Sequence, residues 1–132
     1  MKKPNRADPG PQGRPFTTDD ILEIMKVFQE GPIREIFVRN NEGYAETDRT
    51  ADGFHNFRGG AAEAGITPEQ YWSVLFGKHR RALSSFIRTG RAHKPVYRLI
   101  KDMIVYLHML NAWNIEHHRY SLDDILSDED VN

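Results

Sequence analysis

The stretch "TPEQYWSVLFGKHRRALSSFIRTGRAHKPVYRLIKDMIVYLHMLNAWNIEH", residues 67–117, decides the fold. It opens on a helix-start signal. Thr67 can cap, Pro68 suits the first helical position, and Gln70 completes a capping box. Trp72, Leu75, Phe76, His79, Leu83, Phe86 and Ile87 then recur at helical spacing up to Gly90. "RAHKP" turns the chain. A second long helix is predicted from about Pro95 to His117, with Val96, Leu99, Ile100, Met103, Leu107 and Leu110 on its apolar face. Two long helices joined by so short a turn form an antiparallel hairpin.

The flanking sequence builds outward from this pair. Residues 1–15, "MKKPNRADPGPQGRP", are rich in Pro, Gly and charge and read as a disordered basic arm. Thr17 or Thr18 caps a helix whose buried stripe should be Ile21, Ile24, Met25 and Phe28. Gly31-Pro32 should break it, and Pro32 should start another helix with Ile33, Ile36 and Phe37 inward. "RNNEGYAETD" should end that helix in polar turn chemistry. A short helix is expected over roughly 50–64, stopped by Gly65. Its Gly59-Gly60 pair suggests a close backbone approach or a kink. Residues 121–132 form an acidic tail that should hold one capped turn.

No segment alternates with period two. The expected fold is therefore all-α, a four- to five-helix bundle around a central antiparallel pair. It occupies residues 16–120 as one domain, which suits 132 residues with 39% hydrophobic composition. The chain has no cysteine, so disulfides and thiolate zinc sites are excluded. No apolar run approaches the ~20 residues of a membrane span. The N-terminal lysines lack a following apolar segment, so a secretory signal is not expected. A cytoplasmic home follows as the expectation.

Net charge is −1, but it is unevenly distributed. Lys78, Arg80, Arg81, Arg88, Arg91, Lys94, Arg98 and Lys101 stand in a stretch, 78–101, with no acid at all. An anionic partner would explain this, and so would an acidic surface elsewhere in the fold.

Some polar residues fall where chemistry can sit. Asp102 lies at the edge of the last helix's apolar stripe, beside Tyr106 and one turn from Arg98. A half-buried carboxylate needs a cation, a metal or hydrogen bonds, and an ion pair with Arg98 is the structural alternative. His79 falls inside an apolar stripe, where a hydrogen-bonded core histidine is the ordinary reading. Lys78 and Arg81 open the acid-free stretch and are candidates for phosphate. Helical spacing places Asp52 and Asn56 on one face and Phe54, Phe57 and Ala61 on another. A simple capping role is the alternative for Asp52. His108, His117 and His118 have poor spacing for a helix-face metal site.

Four motifs taken together are distinctive: "RNNEGYA" at 39–45, "DGFHNFRGGAAEAGITPEQ" at 52–70, "GKH" at 77–79 and "KDMIVYLHML" at 101–110. They resemble a phage and prophage family of small helical proteins, the nucleotide modification associated domain 1 family. The resemblance covers about residues 33–113. It falls on Arg39, Asn40, Asn41 and Tyr44; on Asp52, Asn56 and Phe57; on Gly65 and Ile66; on Lys78 and His79; and on Asp102 and Tyr106. It implies a phage-encoded protein in a host bacterial cytoplasm, linked to nucleotide metabolism, DNA modification or counter-defence. "LIKDMIVYL" at 99–107 is also similar to the closing helix of MazG-type nucleotide pyrophosphohydrolases, which hold Mg2+ with paired carboxylates. Here Leu99 stands where the glutamate of that helix's pair should be, and residues 67–89 hold no ExxE. Only Glu35 and Asp52 remain as substitutes.

Three functions compete. In the first, the chain binds a nucleotide or other phosphate-bearing ligand. Lys78, Arg81 and Arg98 meet phosphate, Asp52, Asn56 and Asp102 orient sugar, base or one metal, and Tyr44 or Tyr106 stacks on the base. In the second, it is a Mg2+-dependent nucleotide pyrophosphohydrolase, with Asp52, Asp102 and Glu35 converging on the ion. In the third, it is an interaction protein whose basic stretch meets nucleic acid or an acidic surface, although a pI of about 6.6 is low for a dedicated nucleic-acid binder. Assembly into a homo-oligomer is compatible with each.

Overall fold

A computed structural model describes residues 14–45 and 52–128, with only the backbone described for 40–45. The expected arm over 1–13, the turn over 46–51 and the last four residues of the tail lie outside the described residues. The described chain is all-α: α1 (Thr18–Phe28), a π-helical turn (Gln29–Ile33), α2 (Arg34–Ala45), α3 (His55–Ala64), α4 (Pro68–Thr89), α5 (Val96–Glu116) and the short α6 (Leu122–Leu126).

Three helices start with the same device. At α4, the Thr67 hydroxyl accepts from the Gln70 amide at 3.1 Å, and the Gln70 side chain accepts from the Thr67 amide at 3.0 Å. Thr17 with Asp20 does this for α1, and Ser121 with Asp124 for α6. Each pair satisfies two backbone donors that the first helical turn leaves open. Arg14 adds an ion pair to Asp20 at 3.0 Å, so the last basic residue before α1 is tied to its cap. Glycines end two helices. Gly65 and Gly90 both sit at φ 73°, left-handed backbone that suits glycine. Behind α3 the Gly65 and Ile66 amides bond back to Ala62 and Ala61, which closes the helix end.

The α4–α5 hairpin forms as expected. Glu69 meets Trp113 and Trp72 meets Tyr106, an antiparallel register. α3 packs across the first half of α4, where Phe57 sets its ring edge against Tyr71 at 5.8 Å between centroids. Ile33, at the π-turn, is 3% exposed, and the turn packs on α5. The buried apolar side chains are Ile33, Phe57, Ala61 and Trp113. The stripes of α4 and α5 are mostly half-buried. Ile87, Ile100 and Leu107 are exposed, contrary to the sequence expectation. For Ile87 the reason is cover: α3 packs on the first half of α4, far from Ile87.

The larger correction concerns α1. Gly31-Pro32 does not break the helix. The backbone stays right-handed through Gln29 and Arg34, and the five-residue π-turn absorbs the N–H that Pro32 lacks. The chain from 18 to 45 is therefore one continuous helical run, and "RNNEGYA" continues it as helix. Because the chain never folds back at Pro32, α1 touches chiefly the adjoining turn. Ile21, Ile24 and Met25, expected in the core, lie exposed, and Phe28 is half-buried.

Candidate functional site: a cleft between α3, α4 and α5

A cleft of about 930 Å3 opens where α3 and α2 face the α4–α5 hairpin. α3 contributes His55, Asn56, Gly59, Gly60 and Glu63. α4 contributes Tyr71, Leu75 and His79. α5 contributes Asp102, Val105, Tyr106 and Met109, and α2 adds Ile36 and Phe37. The α3 set follows from helical spacing, since Asn56, Gly60 and Glu63 lie four and three apart on one face. Asp102, Tyr106 and Met109 repeat that spacing on α5.

The glycines explain how α3 comes so close. A Cβ on Gly60 would sit 2.5 Å from the Tyr71 ring, so any side chain there must displace that ring, whereas Gly59 has nothing within 4 Å. The expected close approach therefore belongs to Gly60 alone. It lets the Tyr71 ring pack directly against the α3 backbone, beside Phe57.

At the far end of the cleft, His79 faces Tyr106 with ring centroids 5.2 Å apart. Burial lowers the His79 pKa; Asp102 partly opposes this, and nearby Lys78 and Lys94 add to it. The ring is thus held toward its neutral form, with one nitrogen free to accept. Burial raises the Tyr106 pKa, and Asp102 and Tyr71 raise it further, so its hydroxyl stays a donor. Among the described residues, the side chains of Asn56, His79, Asp102 and Tyr106 make no hydrogen bond or ion pair. Asp102 does not pair with Arg98, and His79 is not the hydrogen-bonded core histidine of the ordinary reading. His79, Asp102 and Tyr106 are half-buried and Asn56 is exposed at the cleft mouth. Polar groups without described partners, gathered at one cavity, have their bonding capacity open to a ligand.

The structure thus brings together four of the residues singled out in the sequence: Asn56, His79, Asp102 and Tyr106. It does not bring Asp52. That residue lies ahead of α3, so helical spacing from Asn56 does not apply to it. Its Oδ1 accepts from the Phe54 amide at 3.0 Å, and its Oδ2 lies 3.1 Å from Arg58 Nε. Asp52 shapes the turn into α3, the capping alternative. Lys78, Arg81 and Arg98 are exposed and do not line the cleft. Arg81 lies back along α4 toward Gly77. Lys78 and Lys94 stand at the rim, close enough to act on His79. The Tyr44 side chain lies outside the described residues. Tyr71, His55 and Glu63 are cleft residues that the sequence reading passed over. For Glu63 a signal existed, because it sits seven residues after Asn56, two turns along the same face.

A Mg2+ site of the pyrophosphohydrolase kind does not fit this geometry. Glu35 pairs with Arg39 at 3.3 Å and Asp52 with Arg58, so neither joins Asp102. No group of three or more His, Asp or Glu side chains is placed to hold a metal among the described residues.

The opposite end of the body carries a second cluster around Trp113, which is 5% exposed. Its indole N–H donates to Glu69 at 3.0 Å. Phe54 sets an edge to its ring at 5.1 Å, His117 stacks on it at 4.2 Å, and the Arg58 guanidinium lies over it at 4.9 Å. Arg58 also bonds to Glu116, and Arg119 lies 3.7 Å from Glu69. This cluster is closed on itself.

Comparison with protein-family models finds no match, nor do searches of curated proteins and of solved structures. The functional reading therefore rests on the residues of the cleft and on the motifs quoted above.

Proposed function

We propose that the cleft binds a nucleotide, with its base or nucleoside end between the rings of Tyr71, His79 and Tyr106. One observation carries this reading: four polar side chains without partners among the described residues converge on a cavity walled by aromatic rings. Stacking on such rings suits any base. Asn56, with both donor and acceptor, and Asp102, an acceptor, can read a base edge or ribose hydroxyls. The cleft lining has two carboxylates and neither lysine nor arginine, so it disfavours phosphate inside. The phosphates belong at the rim, where Lys78 and Lys94 have no ion pair among the described residues. The resemblance to phage nucleotide modification proteins points the same way, and binding without turnover is compatible with sequestering a host signalling nucleotide. Calorimetric titration with nucleosides, nucleoside mono- and triphosphates and cyclic dinucleotides, with and without Mg2+, tests the proposal. Saturable heat is expected from at least one, weakened tenfold or more by Tyr106→Ala. Silence from all of them in a folded sample rejects it.

A second reading is favoured by a separate observation. None of the basic side chains over 78–101 has an ion pair among the described residues, so no described acidic side chain neutralises them at contact. A surface of this kind suits nucleic-acid phosphates and predicts binding that weakens steeply with salt. A gel shift with single-stranded DNA at low salt checks it. Absence of a shift there removes the nucleic-acid version.

A further inference from the structure

α1 is an amphipathic helix without a core. Phe16, Ile21, Leu22, Ile24, Met25 and Val27 are 39–58% exposed, and no α1 residue is buried. At 100° per residue its apolar arc from Val27 round to Leu22 spans roughly 220°, wider than one flat contact needs. The positions without described side chains offer little to cover it; over 40–45 the apolar ones are Tyr44 and Ala45. Residues 1–13 offer only Met1 and Ala7, residues 46–51 only Ala51, and residues 129–132 only Val131.

We infer that this face is the contact with a second copy of the chain. Two α1 helices pack antiparallel about a two-fold axis between Ile24 and Met25. In that register Ile24 meets Met25, and Ile21 meets Phe28, so the stripe is complementary to itself. The same register carries Phe16 of each copy past the end of the other α1 to Ile33. There the structure has an apolar groove of about 690 Å3, with walls that include Phe37, Phe54, Val105 and Met109. The wide arc is thereby used, one side against the facing α1 and the other against the groove. The six exposed side chains of two copies, with their polar surroundings, bury on the order of 1,200 Å2, the lower bound of a specific interface.

Light scattering on the full chain, across a hundredfold range of concentration, tests this. A dimer is expected in the micromolar range. Ile24→Asp should give a monomer, and Ile87→Asp, at a side chain 74% exposed on α4, should leave the dimer intact. A wild type that stays monomeric throughout, or an Ile24→Asp variant that still dimerises, overturns the inference. The chain has no cysteine, so a Phe16→Cys, Glu30→Cys double variant gives an independent reading. Within one chain the helical rise from Thr18 to Glu30 alone separates these positions by about 18 Å, too far for a short bismaleimide. A covalent dimer is expected, and failure to form one under mild cross-linking contradicts the antiparallel register.

Discussion

The Trp113 end and the Asp102 cleft are built from the same kinds of side chain. Each has a large ring on α5, a carboxylate beside it and a histidine against it. Around Trp113 the polar partners close on one another: the indole meets Glu69, and Arg58 covers the ring between Asp52 and Glu116. In the cleft His79, Asp102, Tyr106 and Asn56 have no such partners. Composition alone does not separate a structural knot from a site. Partner satisfaction does, because an unpaired half-buried polar group costs stability and persists where function uses it.

The difference can be broken from its strong side. Trp113→Ala removes a buried ring and leaves Glu69 and Arg58 without their partner, so a loss of about 3–5 kcal/mol is expected in urea unfolding. A loss under about 1 kcal/mol would mean that the knot does not hold the body together. The two glycines of α3 should separate next. Gly60→Ala must displace Tyr71 and costs about 1–2 kcal/mol after its helix-propensity gain, while weakening ligand binding. Gly59→Ala meets nothing and should stabilise by about 0.5–1 kcal/mol. Opposite signs by thermal melting are the expected outcome, and equal effects would contradict the close approach at Gly60. Arg58→Ala should cost only about 1 kcal/mol, since its ion pairs are some 40% exposed and solvent screens them.

Acid should act on both regions, in separate windows. Folded His79 holds its proton less tightly than the unfolded chain does, so the unfolded state binds more protons below about pH 6.5. Stability should therefore fall as pH drops through that window, and His79→Gln should remove this step. Glu69 is lowered chiefly by the Trp113 hydrogen bond, so its contribution is present above the ordinary carboxylate range and fades below it. The smallest effect belongs to Asp102→Asn. With no partner to lose, it should change stability by no more than ~0.5 kcal/mol while weakening nucleotide binding. A large stability loss would reveal Asp102 as structural.

Much of this fold was legible. Thr67-Pro68-Gln70 and Gly90 bound α4 where their chemistry says, and the α4–α5 hairpin follows from its apolar period. The fate of α1 was not legible, because Gly31-Pro32 normally stops a helix and the π-turn that carries the chain through leaves no local signature. For the site, Asp102 and Tyr106 could be read from their place at the stripe edge. Asp52 misled, since its spacing to Asn56 counts only if both are helical, and α3 begins at His55. Arg58 could not be placed, because its partners Trp113 and Glu116 lie far along the chain.

The central claim is that the cleft, and not the Trp113 end, is the ligand site. Imidazole signals followed by NMR during titration with single nucleotides test it most directly, since His79 lies within the cleft and His117 stacks on Trp113. The account predicts that a bound nucleotide shifts His79 and leaves His117 unmoved. A shift at His117 with His79 unchanged, or no shift at His79 at saturating nucleotide, would contradict it.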